Sequence, residues 1–303
     1  VINHLLVAAQ KAALAAGHWV QATVVQKADN LPDGVQVIDS LLVDSVQHKL
    51  VGGTAWLFCR AAQAQKWDYL FVEEASQVSL ADAVAAGCSA RNIVFLGDQM
   101  QLPQPIQGVH PGDSGLSVLE YLMQGHANVP PTKGIFLGLS YRMHPDVCRP
   151  VSQGVYEGQL QSADQCATQR LVLSSNADPA LKPSGIVYLP VKHANRSQSA
   201  PEEAARILAL RDSLLQQSWV DSEGQTKPIT DADILIVAPF NAQKRELQRL
   251  LGKQARIGTV DKFQGQEAAV AIVSMTTSDS DNMVRGVDFL FSKNRLNVAV
   301  SRA

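Results

Sequence analysis

Trp67-Asp-Tyr-Leu-Phe-Val-Glu-Glu-Ala-Ser-Gln77 decides the fold. Its first six residues form a short, largely apolar run of the length and aromatic, β-branched content expected of a strand. That run ends directly in two adjacent carboxylates, Glu73 and Glu74. The pattern recurs. Asn92–Leu96 runs into Gly97-Asp98-Gln99, and Asp233–Ala238 runs into Pro239-Phe240-Asn241. Further candidate strands are Val35–Ile38, Gly134–Leu137, Gly185–Leu189, Arg256–Thr259 and Ala269–Met275. These runs are mostly continuous rather than alternating, as in parallel strands covered by helices on both faces. The fold class is therefore α/β, doubly wound. Open parallel sheets bind ligands beyond the carboxyl ends of their strands, so three strands that end in polar residues point to one shared site.

The 303 residues suit two domains at ~150 residues each. Hydrophobic residues make up 46% and charged residues 18%, the balance of a globular protein with a real core. The formal net charge of −2 argues mildly against a dedicated nucleic-acid binder, although a local basic groove can sit on a neutral protein. Cys59, Cys88, Cys148 and Cys166 stand far apart with no CxxC pair, and the seven histidines show no ligand spacing, so reduced thiols in a cytoplasmic protein are expected rather than a zinc site. No run is long and apolar enough to span a membrane, and no signal peptide precedes the first helical pattern.

That pattern occupies Val1–Ala16, with Ile2, Leu5, Leu6, Ala9, Ala12, Ala13 and Ala16 at helical spacing and Gly17 as the stop. The start without Met and the end on Asn297–Ala303 read as a fragment of a longer chain. Ser199 and Glu202 form a capping box, with Pro201 in the first turn of a helix that continues through Ile207, Leu210 and Leu214. Ser174–Ser184 and Trp219–Thr230 read as loops. Neither an internal repeat nor a low-complexity tract stands out. The Pro130-Pro131 pair places a boundary near Lys133–Ser140, giving domains 1–138 and 139–303.

Paired carboxylates at a strand end are what a nucleoside triphosphatase requires: one holds magnesium, the next orients the attacking water. Two solvated acids in a loop are the alternative. In Gly97-Asp-Gln-Met-Gln-Leu-Pro103, the acid and amides can sense a phosphate, or the segment is a polar turn. Ser140-Tyr-Arg-Met-His-Pro145 presents Arg142 just past a candidate strand, either toward a phosphate across a cleft or in a surface ion pair. Gly258-Thr-Val-Asp-Lys-Phe-Gln-Gly-Gln-Glu267 is a strand followed by a glycine-bearing polar loop. Asn294-Arg-Leu-Asn-Val-Ala-Val-Ser-Arg302 sets Arg295 and Arg302 on either side of an apolar stretch. Lys244, Arg245, Arg249, Lys253 and Arg256 form a basic stretch on a predicted helix, which either flanks a nucleic-acid strand or is a solvated face.

Taken in order, VEEASQ, GDQMQLP, SYRMHP, APFNAQ, TVDKFQGQE and NRLNVAVSRA resemble motifs II through VI of the superfamily 1 helicases, in the Upf-like branch. The resemblance covers about Val51 to Ala303. The stretch from Gly97 through His110-Pro111 to Pro145 also resembles bacterial proteins that fuse a RecB-like nuclease to such a helicase. The resemblance implies two RecA-like domains, the first incomplete, that use ATP and Mg²⁺ to move 5′ to 3′ along a single strand, DNA more than RNA, with a fused or associated nuclease and no membrane. It implies Glu73 as the magnesium ligand; Glu74, Gln101, Arg142 and Arg302 as catalytic; Asp98, Gly265 and Glu267 at ATP; and Thr54, Thr259 and Asp261 at nucleic acid.

Two departures stand out. The family carries Asp-Glu where this chain has Glu73-Glu74, one methylene longer at the metal ligand. The GxxxxGK[ST] phosphate loop, which the family would place before Val1, does not occur. The alternative implied is a catalytically impaired helicase-like module that binds nucleic acid or a partner protein.

Overall fold

The computed structural model describes residues 2–25, 35–104, 108, 110–278 and 287–303, the side chains of residues 287 and 288 excepted. The chain folds into two compact units: Val1–Asp98 with Gln104–Gln124, and Gln99–Pro103 with Gly125–Ala303. The class is α/β with parallel sheets.

In the first unit, α1 (Ile2–Ala15) precedes three short parallel strands, β1 (Ala22–Val24), β2 (Val35–Val37) and β3 (Leu50–Gly52), in the order β2–β1–β3. The predicted first helix forms and stops at Gly17, whose φ of +82° a side chain would resist; Val1 lies outside the described residues. A short helix α2 (Ala55–Phe58) follows. The decisive stretch becomes β4 (Trp67–Val72) as predicted, α3 (Leu80–Gly87) crosses over, and β5 (Ala90–Phe95) pairs parallel to β4. Helix α4 (Val118–Met123) closes the unit with a capping box between Ser117 and Glu120.

The second unit opens with β6 (Leu139–Ser140), α5 (Pro145–Val155) and β7 (Gln161–Ser162), the two strands parallel. Strands β8 (Arg170–Val172), β9 (Ser218–Val220) and β10 (Thr226–Pro228) form an antiparallel sheet, with α6 (Pro201–Leu214) between the first two. Its main sheet is all parallel in the order β12–β11–β13, built from β11 (Ile234–Val237), β12 (Arg256–Gly258) and β13 (Val270–Val273). Between these run α7 (Asn241–Leu251) and α8 (Val260–Phe263). Helices α9 (Val287–Leu290) and α10 (Lys293–Val300) end the chain.

All four residues of β11 are buried. Ile234 and Ile236 pack with Ala204, Ile207 and Leu214 of α6 and Leu247 and Leu251 of α7. Leu235 and Val237 face the other way, onto Val260, Phe263, Val298 and Ala299. A strand covered on both faces has no polar side to present, which explains the unbroken Ile-Leu-Ile-Val run.

Several expectations fail for identifiable reasons. Gly134–Leu137 and Gly185–Leu189 form no strand. Laddering begins only where Gln161 N donates to the Gly138 carbonyl, and Ile135, Leu137 and Tyr188 remain exposed. Trp219–Thr230 is not a loop: its turn formers make the β9–β10 hairpin, where Asp221 accepts from the Glu223 and Gln225 amides and Gly224 takes φ +77°. The capping box at Ser199 and Glu202 does not form. Ala200 is the N-cap, its amide donates to Gln243 Oε1 (2.8 Å), and Glu202 is drawn off by the Arg196 guanidinium (2.7 Å). Of the basic stretch, Lys253 and Arg256 lie beyond α7, Arg249 pairs with Glu246, and Arg256 donates to the Ala232 carbonyl from its place on β12.

Leu235→Ala, at a position with no exposure, is expected to cost about 2–5 kcal/mol and lower the urea midpoint. Val172→Ala, 45% exposed, should stay within about 0.5 kcal/mol of the parent.

Candidate functional site

Five of the six motifs lie at the carboxyl end of a parallel strand, and the sixth, Asn294–Ala303, lies on and just after helix α10. In the first unit, Glu73 and Glu74 follow β4, and Gly97 and Asp98 follow β5. Glu74 holds φ +52°, uncommon for a non-glycine residue, and opens a short 3₁₀ turn, Ala75–Gln77. Ala75 N donates to the Leu96 carbonyl (2.9 Å), drawing the ends of β4 and β5 together. This closeness explains Gly97: a Cβ there would lie 2.8 Å from Ala75 N, against backbone that cannot yield. Glu73 keeps much of its surface exposed, yet the protein packed around its carboxyl raises its pKa above the usual value, and the neighbouring Glu74 charge raises it further. Two adjacent carboxylates supply hard oxygen donors of the kind magnesium accepts alongside phosphate and water. Among the described residues no group of three or more His, Cys, Asp or Glu gathers to hold a metal by itself.

Thr54 and Thr259 share one local architecture, the first in unit one, the second in unit two. Each is the N-cap of a four-residue helix just after a parallel strand, with φ, ψ of −78°, 166° and −79°, 165°, and neither hydroxyl caps its own helix. In each case the Thr carbonyl accepts from the amide three residues on, at 3.0 Å. In each case the preceding glycine is crowded by the residue four positions later: a Cβ on Gly53 would meet Leu57, and on Gly258 it would meet Lys262, both at 2.8 Å. The shared pattern is legible as G-T-x-x-x-F at residues 53–58 and 258–263.

In the second unit, Ser140 Oγ accepts from the amides of Arg142 (3.4 Å) and Met143 (3.3 Å), bending the chain so that Met143 is buried and Arg142 faces out. His144 Nδ1 accepts from Asp146 N at the start of α5 (3.1 Å). The Ser184 hydroxyl, with His144 and Arg149 nearby, holds the Asp146 carboxyl below the usual carboxylate range. Arg142 Nε donates to Glu267 Oε2 at 2.7 Å. That pair lines a cleft of about 430 Å³ together with Arg170, Lys182, Trp219 and Ala271. Both partners are partly exposed, so the ion pair is worth at most ~1 kcal/mol and yields readily to a better anion. Gly265 takes φ +74° in the loop leading to Glu267, and Asp261 pairs with Arg295 at 3.5 Å.

Arg302 lies elsewhere, 2% exposed. Its guanidinium donates to the carbonyls of Val298 (2.8 Å) and Gln266 (3.3 Å) and to Ser301 Oγ (3.1 Å). Gln101 belongs to the second unit although it follows β5, and its carbonyl accepts from Asn294 Nδ2.

Sequence reading passed over the buried polar groups that shape this unit. Glu203, 9% exposed, accepts from Met275 N (3.0 Å), Thr276 N (2.9 Å) and Ser274 Oγ (2.5 Å), and pairs with His193 Nε2 (3.0 Å). It braces the carboxyl end of β13, where the fully buried Thr276 holds φ +69°, a strained value for a β-branched residue. Gln243 of APFNAQ spans Ala200 and Ser274. A glutamate in the first turn of a predicted helix gives no warning that it will be buried; only the position of β13 makes it so.

A family model described as an AAA domain matches residues 115–303. The DNA polymerase alpha-associated DNA helicase A of Schizosaccharomyces pombe (strain 972 / ATCC 24843) is 26% identical over 277 residues, 84% of this chain and 39% of that protein. The DNA replication ATP-dependent helicase/nuclease dna2 of the same organism is 26% identical over 79% of this chain and 18% of its own length. The putative helicase mov-10-B.1 of Danio rerio is 26% identical over 78% and 26% respectively. The chain thus spans less than two fifths of each of these relatives.

Because the Glu73 pKa is raised in the folded state, the residue opposes folding above that pKa, and the penalty fades as pH falls toward the unfolded carboxylate value. Glu73→Gln should therefore raise the thermal midpoint at pH 7.5, with the difference shrinking as melts are run down to about pH 4.

Proposed function

The chain belongs to the AAA domain family, and from that premise we propose that it is the ATP-driven motor core of a nucleic-acid helicase or translocase, moving 5′ to 3′ on single strands, DNA rather than RNA. Its two RecA-like domains are proposed as residues 1–138 and 139–303, with Gln99–Pro103 and residues 125–138 packed into the second compact unit. The observation that carries the reading is the placement of the helicase-like motifs at carboxyl ends of parallel strands: β4 and β5 in one unit, β11 and β12 in the other. The helicase names of the relatives support it. The dna2 relative, a helicase/nuclease, supports a fused or associated nuclease. The reading requires a GxxxxGK[ST] phosphate loop, which residues 1–303 do not contain, so the activity is proposed for the full-length protein rather than for this stretch alone.

Glu74 orients and deprotonates the attacking water. Glu73 would hold magnesium, which offsets charge on the triphosphate. Asp98 and Gln101 sense the γ-phosphate from the segment after β5. Arg142, held ready by a weak pair with Glu267, exchanges that carboxylate for phosphate oxygens, a stronger and potentially bidentate partner. Gly265 lets the loop before Glu267 turn beside the nucleotide. Arg302 supplies a second positive charge on leaving its carbonyl contacts. Thr54 and Thr259, built alike, each offer a hydroxyl to a backbone phosphate of the strand, and Asp261 holds Arg295 in the second unit.

The longer Glu73 and its raised pKa favour a second reading, a helicase-like module that binds without turning over. ATP hydrolysis by the full-length protein with single-stranded DNA, RNA or neither separates the two, and DNA should stimulate most. Binding should weaken steeply with salt. Glu74→Gln should abolish turnover and retain nucleotide binding; unchanged turnover would put the water-activating residue elsewhere. Arg142→Ala and Arg302→Ala should each reduce turnover by about 10³-fold or more. Melting curves for Arg302→Ala are needed beside the rates, because that side chain is also buried.

A further inference from the structure

Gln99–Pro103 leaves β5 and is taken up by the second unit. Its backbone is held there by side chains nearly two hundred residues away. Asn294 Nδ2 donates to the carbonyls of Gln99 (2.9 Å) and Gln101 (2.5 Å). Asn297 Nδ2 donates to the Met100 carbonyl (2.9 Å) and to Tyr156 Oη (2.7 Å). Three successive carbonyls are thus claimed by two amides spaced i, i+3 on one face of α10, and all four of their N–H groups are committed. Leu102, 5% exposed, sits in the core beside Val298 and Ala299 of the same helix. From the other end, Gln99 Nε2 donates to the carbonyls of His126 and Ala127. A connecting loop ordinarily leaves such carbonyls to water. Apolar packing at Leu102 alone would let the loop slide along α10, whereas three directional bonds fix its register.

We propose that Asn294 and Asn297 are positioning residues for ATP hydrolysis: they weld the loop carrying Gln101 to the helix that carries Arg295 and leads into Arg302. The phosphate-sensing amide and the arginine then form one rigid piece that answers the nucleotide together. This rests on the helicase reading of Gln101 and Arg302. Only donors fit the position. A carboxylate of the same shape at 294 would set oxygen against two carbonyl oxygens and push the loop away.

The test is strand-stimulated ATP hydrolysis by the full-length protein carrying Asn294→Ser, Asn294→Ala, Asn294→Asp, Gln101→Ala, or Gln101→Ala with Asn294→Asp. Turnover should fall in the order parent, Ser, Ala, Asp. The Asp variant should lose about 10- to 100-fold in kcat with the KM for ATP held within about twofold, since the amide touches no nucleotide. The double variant should be no slower than its slower parent, because both changes disable one piece. A merely space-filling role would rank Asp above Ala, since Asp keeps the shape, and would make the two losses additive; either result overturns the proposal, as does unchanged turnover. If Asn294→Asp does not fold, the Ser-to-Ala order and Gln101→Ala with Asn294→Ala carry the same contrast. A parent protein with no strand-stimulated turnover overturns the helicase reading and this proposal with it. Strong parent turnover with indifferent variants overturns this proposal alone.

Discussion

Burial of β11 on both faces is the constraint on which the second unit depends. Ile234 and Ile236 serve one core and Leu235 and Val237 the other, so helices must cover each side and the neighbouring strands must run parallel. Parallel strands need long crossovers, and those crossovers leave every strand's carboxyl end at the same edge of the sheet. Pro239, Thr259 and Ser274 reach that edge for no other reason. The polar motifs that follow β11 and β12 gather there because the hydrophobic requirement of four residues concentrates the strand ends.

Buried polar groups help to shape that edge. Glu203 satisfies two amides and a hydroxyl beyond β13 and holds Thr276 in a conformation a β-branched residue resists. Asn294 and Asn297 do the same for the carbonyls of residues 99–101. A buried polar group left without a partner costs about 1–3 kcal/mol, so the amides beyond β13 and the carbonyls of residues 99–101 gain from being paired, although the buried Asn297 Oδ1 itself has no partner among the described residues. Such pairing, together with the packing of Leu102 beside Val298 and Ala299, makes these loops specific in shape. By contrast Arg142 and Glu267, partly exposed, are joined weakly enough to exchange partners.

The two units reach one local solution with the same Gly-Thr pair. Gly53-Thr54 and Gly258-Thr259 take nearly the same backbone path after a parallel strand, each glycine hemmed in by the side chain four residues on. The matching geometry in each unit accords with the proposal that Thr54 and Thr259 contact a repeating phosphate backbone.

By itself the sequence determined the α/β class, the strands Trp67–Val72, Ile234–Val237 and Arg256–Gly258 within a residue or two, and the polar motifs that follow them. These are local facts: an apolar run of strand length declares a strand, although its burial is complete only in Ile234–Val237, since Tyr69 and Phe71 stay exposed on Trp67–Val72. The sequence misjudged Gly134–Leu137 and Gly185–Leu189, because strand propensity cannot say whether a neighbour is present to accept the ladder. It missed the β9–β10 hairpin because its turn formers masked two three-residue strands. Tertiary structure alone decided that Glu202 serves Arg196 rather than a helix cap, that Glu203 lies buried beneath Thr276, and that residues 99–103 belong with α10. Each of those outcomes depends on a partner far off in sequence, and a hydrogen bond between distant residues leaves no periodic trace along the chain.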